Sequence, residues 1–136
     1  MPTQVSRILC PINLRHAQLA HPAYAEALRL AHWHGAELIV MTVTPEIERN
    51  LNIRDSEAFW MDELKRFLKD NPPGDVAVRP VVRKGAAHRQ IVKLAVAEKV
   101  DLIVMDSANP RIQDYLLGTT ASHVASHAPC TVMVVR

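Results

Sequence analysis

The run ELIVMTV, Glu37 to Val43, decides the fold of this chain. It is short, apolar and largely unbroken, and such a run suits a strand buried on both faces, as in a parallel sheet covered by helices. Two more of its kind lie further along, DLIVM (Asp101 to Met105) and CTVMVV (Cys130 to Val135). RILCPI near the start and VAVRPVV (Val76 to Val82) are weaker versions. Pro80 interrupts the latter and marks it as an edge strand, because proline has no N–H to give to a central ladder.

Helical patterns fill the intervals. From Pro22 to His34, the residues Ala23, Ala27, Leu28, Leu30 and Ala31 recur at helical spacing, with Pro22 in the first turn and Gly35 as the stop. Trp60, Met61, Leu64, Phe67 and Leu68 form one apolar stripe, entered through Asp55 or Ser56 and ended by NPPG. Ile91, Leu94 and Ala95 mark a third helix from about Ala86 to Lys99, and a fourth runs from near Gly118 to His127. The order β-α-β-α-β-α-β-α-β argues an α/β fold, a doubly wound parallel sheet with helices on both faces. A ligand crevice then lies at the carboxyl ends of the strands, where the strand order reverses. The irregular piece Thr44 to Arg54 is placed to act as a flap over it.

Size and composition are consistent with one domain over residues 1–136. Apolar residues make up 49% and charged residues 22% of 136, an ordinary globular balance with room for one core. No apolar run reaches the roughly 18 residues of a membrane helix, and the first residues lack a secretory h-region. The expectation is a cytoplasmic protein with no membrane role. A net charge of +2, with Lys and Arg scattered among acids, gives no support to nucleic-acid binding. Cys10 and Cys130 read as buried, reduced thiols.

Four segments carry a resemblance to a known family: RILCPIN, LAHWHGAELIVMTV, GAAHRQIVKLAVAEKVDLIVM and LLGTTASHVASHAPCTVMVVR. Over nearly its whole length the chain resembles the universal stress protein family, of the UspA type. The resemblance implies a five-stranded sheet in the order 3-2-1-4-5, Rossmann-like and akin to the adenine nucleotide alpha hydrolases. It also implies homodimers joined through the last strand, and a role in stress survival, with an unknown regulatory partner, instead of a dedicated metabolic reaction. Some members bind ATP through an aspartate after the first strand and a G-x2-G-x9-G-[ST] loop after the fourth. Here Asn13 stands where that aspartate would be, Asp106 and Asn109 replace the first two glycines, and Gly118 and Thr119 keep the end of the motif. Gly118 follows Asp106 by 12 positions, one fewer than the motif has.

The altered loop is a poor cradle for phosphate. Glycine serves there because it tolerates positive φ and lets ligand atoms approach the backbone. Asn109 still visits the left-handed region, but Pro110 removes an N–H and pushes Asn109 towards extended geometry. A carboxylate at Asp106, turned inward to about 4 Å from a phosphate oxygen, meets a repulsion of about 4 kcal/mol at a surface-like dielectric. Arg111 or a metal ion would have to offset it. Without a ligand, Asp106 caps its own turn by accepting from Ala108 or Asn109. Gly118, Thr119 and Thr120 serve as the entry and cap of the fourth helix, an anion-favouring position in its own right. Resemblance alone makes Thr119 and Thr120 candidates for phosphorylation.

The expectation is a dimeric binding or regulatory module with a degenerate nucleotide site, no strong ATP affinity and no cofactor. The alternative is an ATP- or AMP-binding sensor, with slow ATP turnover, using Asn13, Val43, Met105, Gly118 and Thr119. No G-x-S-x-G elbow, G-x4-G-K-[ST] loop or dinucleotide fingerprint supports an enzyme, and Ser107 beside Asp106 reads as a turn pair. The loop NLRHAQLAH, with Arg15, His16 and His21, reads as solvated surface. His123 and His127 share a helix face four residues apart, but no third ligand stands at characteristic spacing, so no metal site is expected. His32 and His34 diverge. The last strand, Thr131, Val132, Met133, Val134 and Val135, has neither charge nor proline to blunt it as an edge. Pairing with a second copy, as the resemblance implies, would satisfy it.

Overall fold

The computed structural model describes residues 4–16, 21–47, 53–107 and 119–136. Five strands, β1 (Arg7–Pro11), β2 (Glu37–Thr44), β3 (Val78–Lys84), β4 (Leu102–Asp106) and β5 (Thr131–Val135), alternate with four α-helices. These are α1 (Pro22–His34), α2 (Ser56–Asp70), α3 (Ala87–Ala97) and α4 (Thr119–His127), with a short 3-10 turn at Leu14–His16. The strands form one sheet in the order β3-β2-β1-β4-β5, and every neighbouring pair is parallel.

The continuous apolar runs are explained by two cores, one on each face. Ile8, Cys10, Leu38, Val40, Leu102 and Val104 face α1 and α2, packing with Ala23, Ala27, Ala31 and Leu64. The alternate residues Leu9, Ile39, Met41, Ile103 and Met105 face α3 and α4, packing with Ile91, Leu94, Ala95, Ala121 and Val124. Period-two alternation therefore sends each strand's side chains to opposite cores, both apolar. Pro80 sits on the outermost strand, where a missing N–H costs least. At the other edge, Thr131 is exposed and Val132 to Val135 are half-buried.

Local chemistry sets the helix ends. Asp55, in extended geometry, accepts from the Ala58 N–H at 3.1 Å and starts α2. Gly35 ends α1 with φ 65°, a conformation that costs glycine nothing. Asp101 stands just before β4 instead of inside it. Its Oδ2 accepts from the backbone N–H groups of Ser6 and Arg7 at 2.8 and 3.0 Å, tying the start of β1 to β4. Beside it, Arg7, Glu37, Arg79 and Glu98 form a network of ion pairs across β1, β2, β3 and the end of α3.

Candidate functional site

The strand order reverses between β1 and β4, so the crevice opens beyond Pro11 and Asp106. Asn13 stands at its rim, exposed, with Oδ1 accepting from the Arg15 N–H at 3.1 Å. That turn starts the 3-10 segment and brings the Arg15 guanidinium over the Trp60 ring of α2, 4.7 Å from its centroid. The part of NLRHAQLAH nearest Asn13 thus packs on α2. Val43 is half-buried on the α3/α4 side, and Met105 is buried there in the core. Thr119 and Thr120 form the first turn of α4, exposed and half-buried respectively. Asn109, Gly118, and with them Ala108, Pro110 and Arg111, lie outside the described residues, as does much of the expected flap after Ile47.

Asp106 points to the α1 side of the sheet. Its Oδ1 accepts from the Ala23 N–H, at 3.0 Å, and its Oδ2 lies 3.8 Å from His21 Nδ1. Ala23 is the second residue of α1, and the helix has no side-chain cap of its own at His21. A carboxylate from β4 therefore takes the place of the missing cap and meets the positive end of the helix dipole. The expected cap within the turn, from Ala108 or Asn109, lies outside the described residues; the described contact of Asp106 is with the start of α1, spanning 83 residues of sequence. The sequence did hold a signal. Pro22 at the first helical position, preceded by histidine instead of Ser, Thr, Asp or Asn, leaves a helix that has to find its cap elsewhere.

Around this contact lies a layer of part-buried polar groups. His21 packs edge-on against Phe67 with centroids 5.4 Å apart, and its Nε2 is buried with no hydrogen-bond partner among the described residues. Tyr24 also meets Phe67 edge-on and donates its hydroxyl proton to the Asn71 carbonyl at 2.6 Å. Burial, and secondarily Cys10, push the Tyr24 phenol up to about 12. Burial pushes the Cys10 thiol up as well, with a smaller contribution from the Asp106 charge. A fully buried thiol held protonated is an inert one, so Cys10 is no nucleophile. Ser107 donates its N–H to the Val135 carbonyl at 2.9 Å and extends the β4–β5 ladder. Cys130 is half-buried, and its thiol too is pushed up, by burial first and then by Asp101.

A second group of polar side chains lies between α3 and α4. His123 and His127 share a face of α4 as their spacing requires, and α3 adds His88, a neighbour that sequence spacing did not reveal. At the opposite end of the sheet, Ser6, His32, Gly35, Glu37 and Asp75 line an open cleft, remote from the strand ends that form the crevice.

The model for the Universal stress protein family matches residues 4–136. A universal stress protein of Methanothermobacter thermautotrophicus is 32% identical over 120 residues, covering 80% of this chain and 82% of that one. Among solved structures, UspA of Lactobacillus plantarum superposes with a TM-score of 0.77 at 23% identity, over 99% of this chain and all of its own. The universal stress protein of Archaeoglobus fulgidus in complex with dAMP gives a TM-score of 0.72 at 15% identity, over 98% of this chain and 100% of that one.

Proposed function

The chain belongs to the universal stress protein family, and on that premise we propose that it is a dimeric, cytoplasmic binding or regulatory module with no strong affinity for ATP. The observation that carries this reading is the hydrogen bond from the Ala23 N–H to the Asp106 carboxylate. The residue at the first glycine position of the loop adds a fixed negative charge to the crevice floor and spends it on the protein's own helix. A triphosphate entering there would meet that charge, and turning it away would uncap α1. Asn13 supports the same reading, since its amide oxygen closes its own turn and offers a ligand no charge-assisted acceptor.

The dimer is part of the proposal. β5 is an edge strand with an apolar sequence, and antiparallel pairing with a second copy would satisfy its outward N–H and C=O groups.

A thermal-shift titration with AMP, ADP and ATP, with and without Mg²⁺, tests the site. The expected result is no concentration-dependent shift with ATP. A second reading, a sensor of adenine nucleotides, draws on the dAMP complex of the Archaeoglobus fulgidus neighbour and on the anion-favouring start of α4 at Thr119. A saturable shift with ATP would replace the first reading by the second.

A further inference from the structure

His88 lies in the first turn of α3, with its ring centroid 4.4 Å from that of His123 on α4 and the two planes tilted by 41°. One turn further along α4, the His127 ring is 6.4 Å from that of His123. His88 is half-buried and the other two are exposed. α4 is short, and of its 9 residues only Ala121 and Val124 are buried. With so little apolar anchorage the helix depends on its flank, where the His88–His123 contact joins it to α3.

The charges available at this contact share one sign. α3 brings Arg89 and Lys93 and no acid, and α4 carries no acid either. The sheet beneath offers Leu9, Ile39, Met41, Ile103 and Met105, all apolar. Among the described residues, the ionisable groups that act on His88 are His123, Arg89 and His127. Helix placement adds to this, because His88 stands at the positive end of the α3 dipole, where no side-chain cap offsets it. A proton on His88 would set a cation against the His123 ring and Arg89, with no described carboxylate to receive it.

We propose that the His88–His123 contact is an acid-sensitive latch: neutral rings hold α4 against α3, and protonation of His88 releases it. Desolvation first, then His123, Arg89 and His127, hold the His88 imidazole below its ordinary value of 6.5. Parting the helices removes these influences, so the open form takes the proton more readily than the closed one. The latch is accordingly complete above 6.5 and is lost as the pH falls through the lowered value. α4 reaches the crevice through Thr119 and leads into β5 at its other end, so its release acts on both. The latch is independent of whether the crevice takes a nucleotide.

Native-state hydrogen exchange followed by NMR on the full chain, at about pH 7.5 and about pH 5.5, tests it. Both conditions lie above the ordinary carboxyl values, so acids keep their charge. Protection of the α4 amides, corrected for intrinsic exchange at each pH, is compared with that of Leu9 and Ile103 in the core. Wild type is expected to lose α4 protection several-fold at the lower pH while the core amides keep theirs. His88→Phe keeps a ring at this place and removes the titration, and it is expected to hold α4 protection constant. His88→Gln, smaller and also neutral, is expected to do the same. Unchanged α4 protection in wild type overturns the proposal. So does an equal fall in both His88 variants, which would assign the response to another group. A fall of the core amides in step with α4 overturns it too, because the event would then be global unfolding.

Discussion

Asp106 ends β4 with a charge that the rest of the chain uses. Its carboxylate is the acceptor that α1 lacks at its own start, and a charged acceptor at a helix N-terminus is worth more than a neutral one. Replacing Asp106 by Ala is expected to destabilise the protein by about 1–2 kcal/mol in urea unfolding, within the range for lost helix caps. Asp106→Asn should lose less, because its amide oxygen still accepts from the Ala23 N–H. Equal stability of wild type and Asp106→Ala would mean that α1 does not need this cap. The role could not be read from sequence spacing, because Ala23 and Asp106 meet only through the sheet topology. His88 escaped for the same reason, as a residue of α3 brought to α4 by packing of the helix layer.

At the scale of elements, most of the fold was legible. Continuous apolar runs located β2, β4 and β5, and Pro22 and Gly35 bounded α1 at the residues where the helix begins and ends. Asp55 announced α2, and Pro80 announced an outer strand. These features are local, and local chemistry decides them. The ion-pair network at the foot of the sheet is not local, and it carries a pH dependence. Hydrogen bonding to Arg79, with smaller contributions from the charges of Arg79, Arg7 and Arg83, holds the Glu98 carboxyl below its ordinary value of 4.5. A carboxyl with a lowered folded pKa stabilises the protein above its unfolded value, and that contribution disappears as the pH falls through the folded value. Wild type should therefore exceed Glu98→Gln in urea midpoint at neutral pH, and the two should converge as the pH falls below the ordinary carboxyl value and through the lowered one. A constant gap across that range would assign Glu98 a packing role instead of an electrostatic one. Both side chains are half-buried and reach solvent, so the effect should be modest and weaker in salt.

For the whole molecule, family membership accounts for the sheet order and for the crevice at the β1/β4 reversal. On the proposed reading, Asn13, Asp106 and Asn109 are where the chain departs from the pattern that the resemblance implies for ATP-binding members. The proposed dimer makes its own prediction through β5. The Val135 carbonyl accepts from Ser107, just after β4, so by strand alternation the backbone groups of Val134 point outward, to the free edge. Val134→Pro should keep the β4–β5 ladder yet convert a dimer to a monomer in light scattering after size exclusion. A dimer that survives this substitution would place the interface elsewhere. The central claim, that the Asp106 carboxylate stays on α1 and keeps triphosphate out, is tested most directly by the amide resonance of Ala23. Under titration with Mg²⁺ and ATP to about 1 mM, a range that would reveal any affinity tighter than weak, that resonance is predicted to stay in place. A saturable displacement of it at micromolar ATP, matched by the resonances of Thr119 and Thr120, would contradict the account.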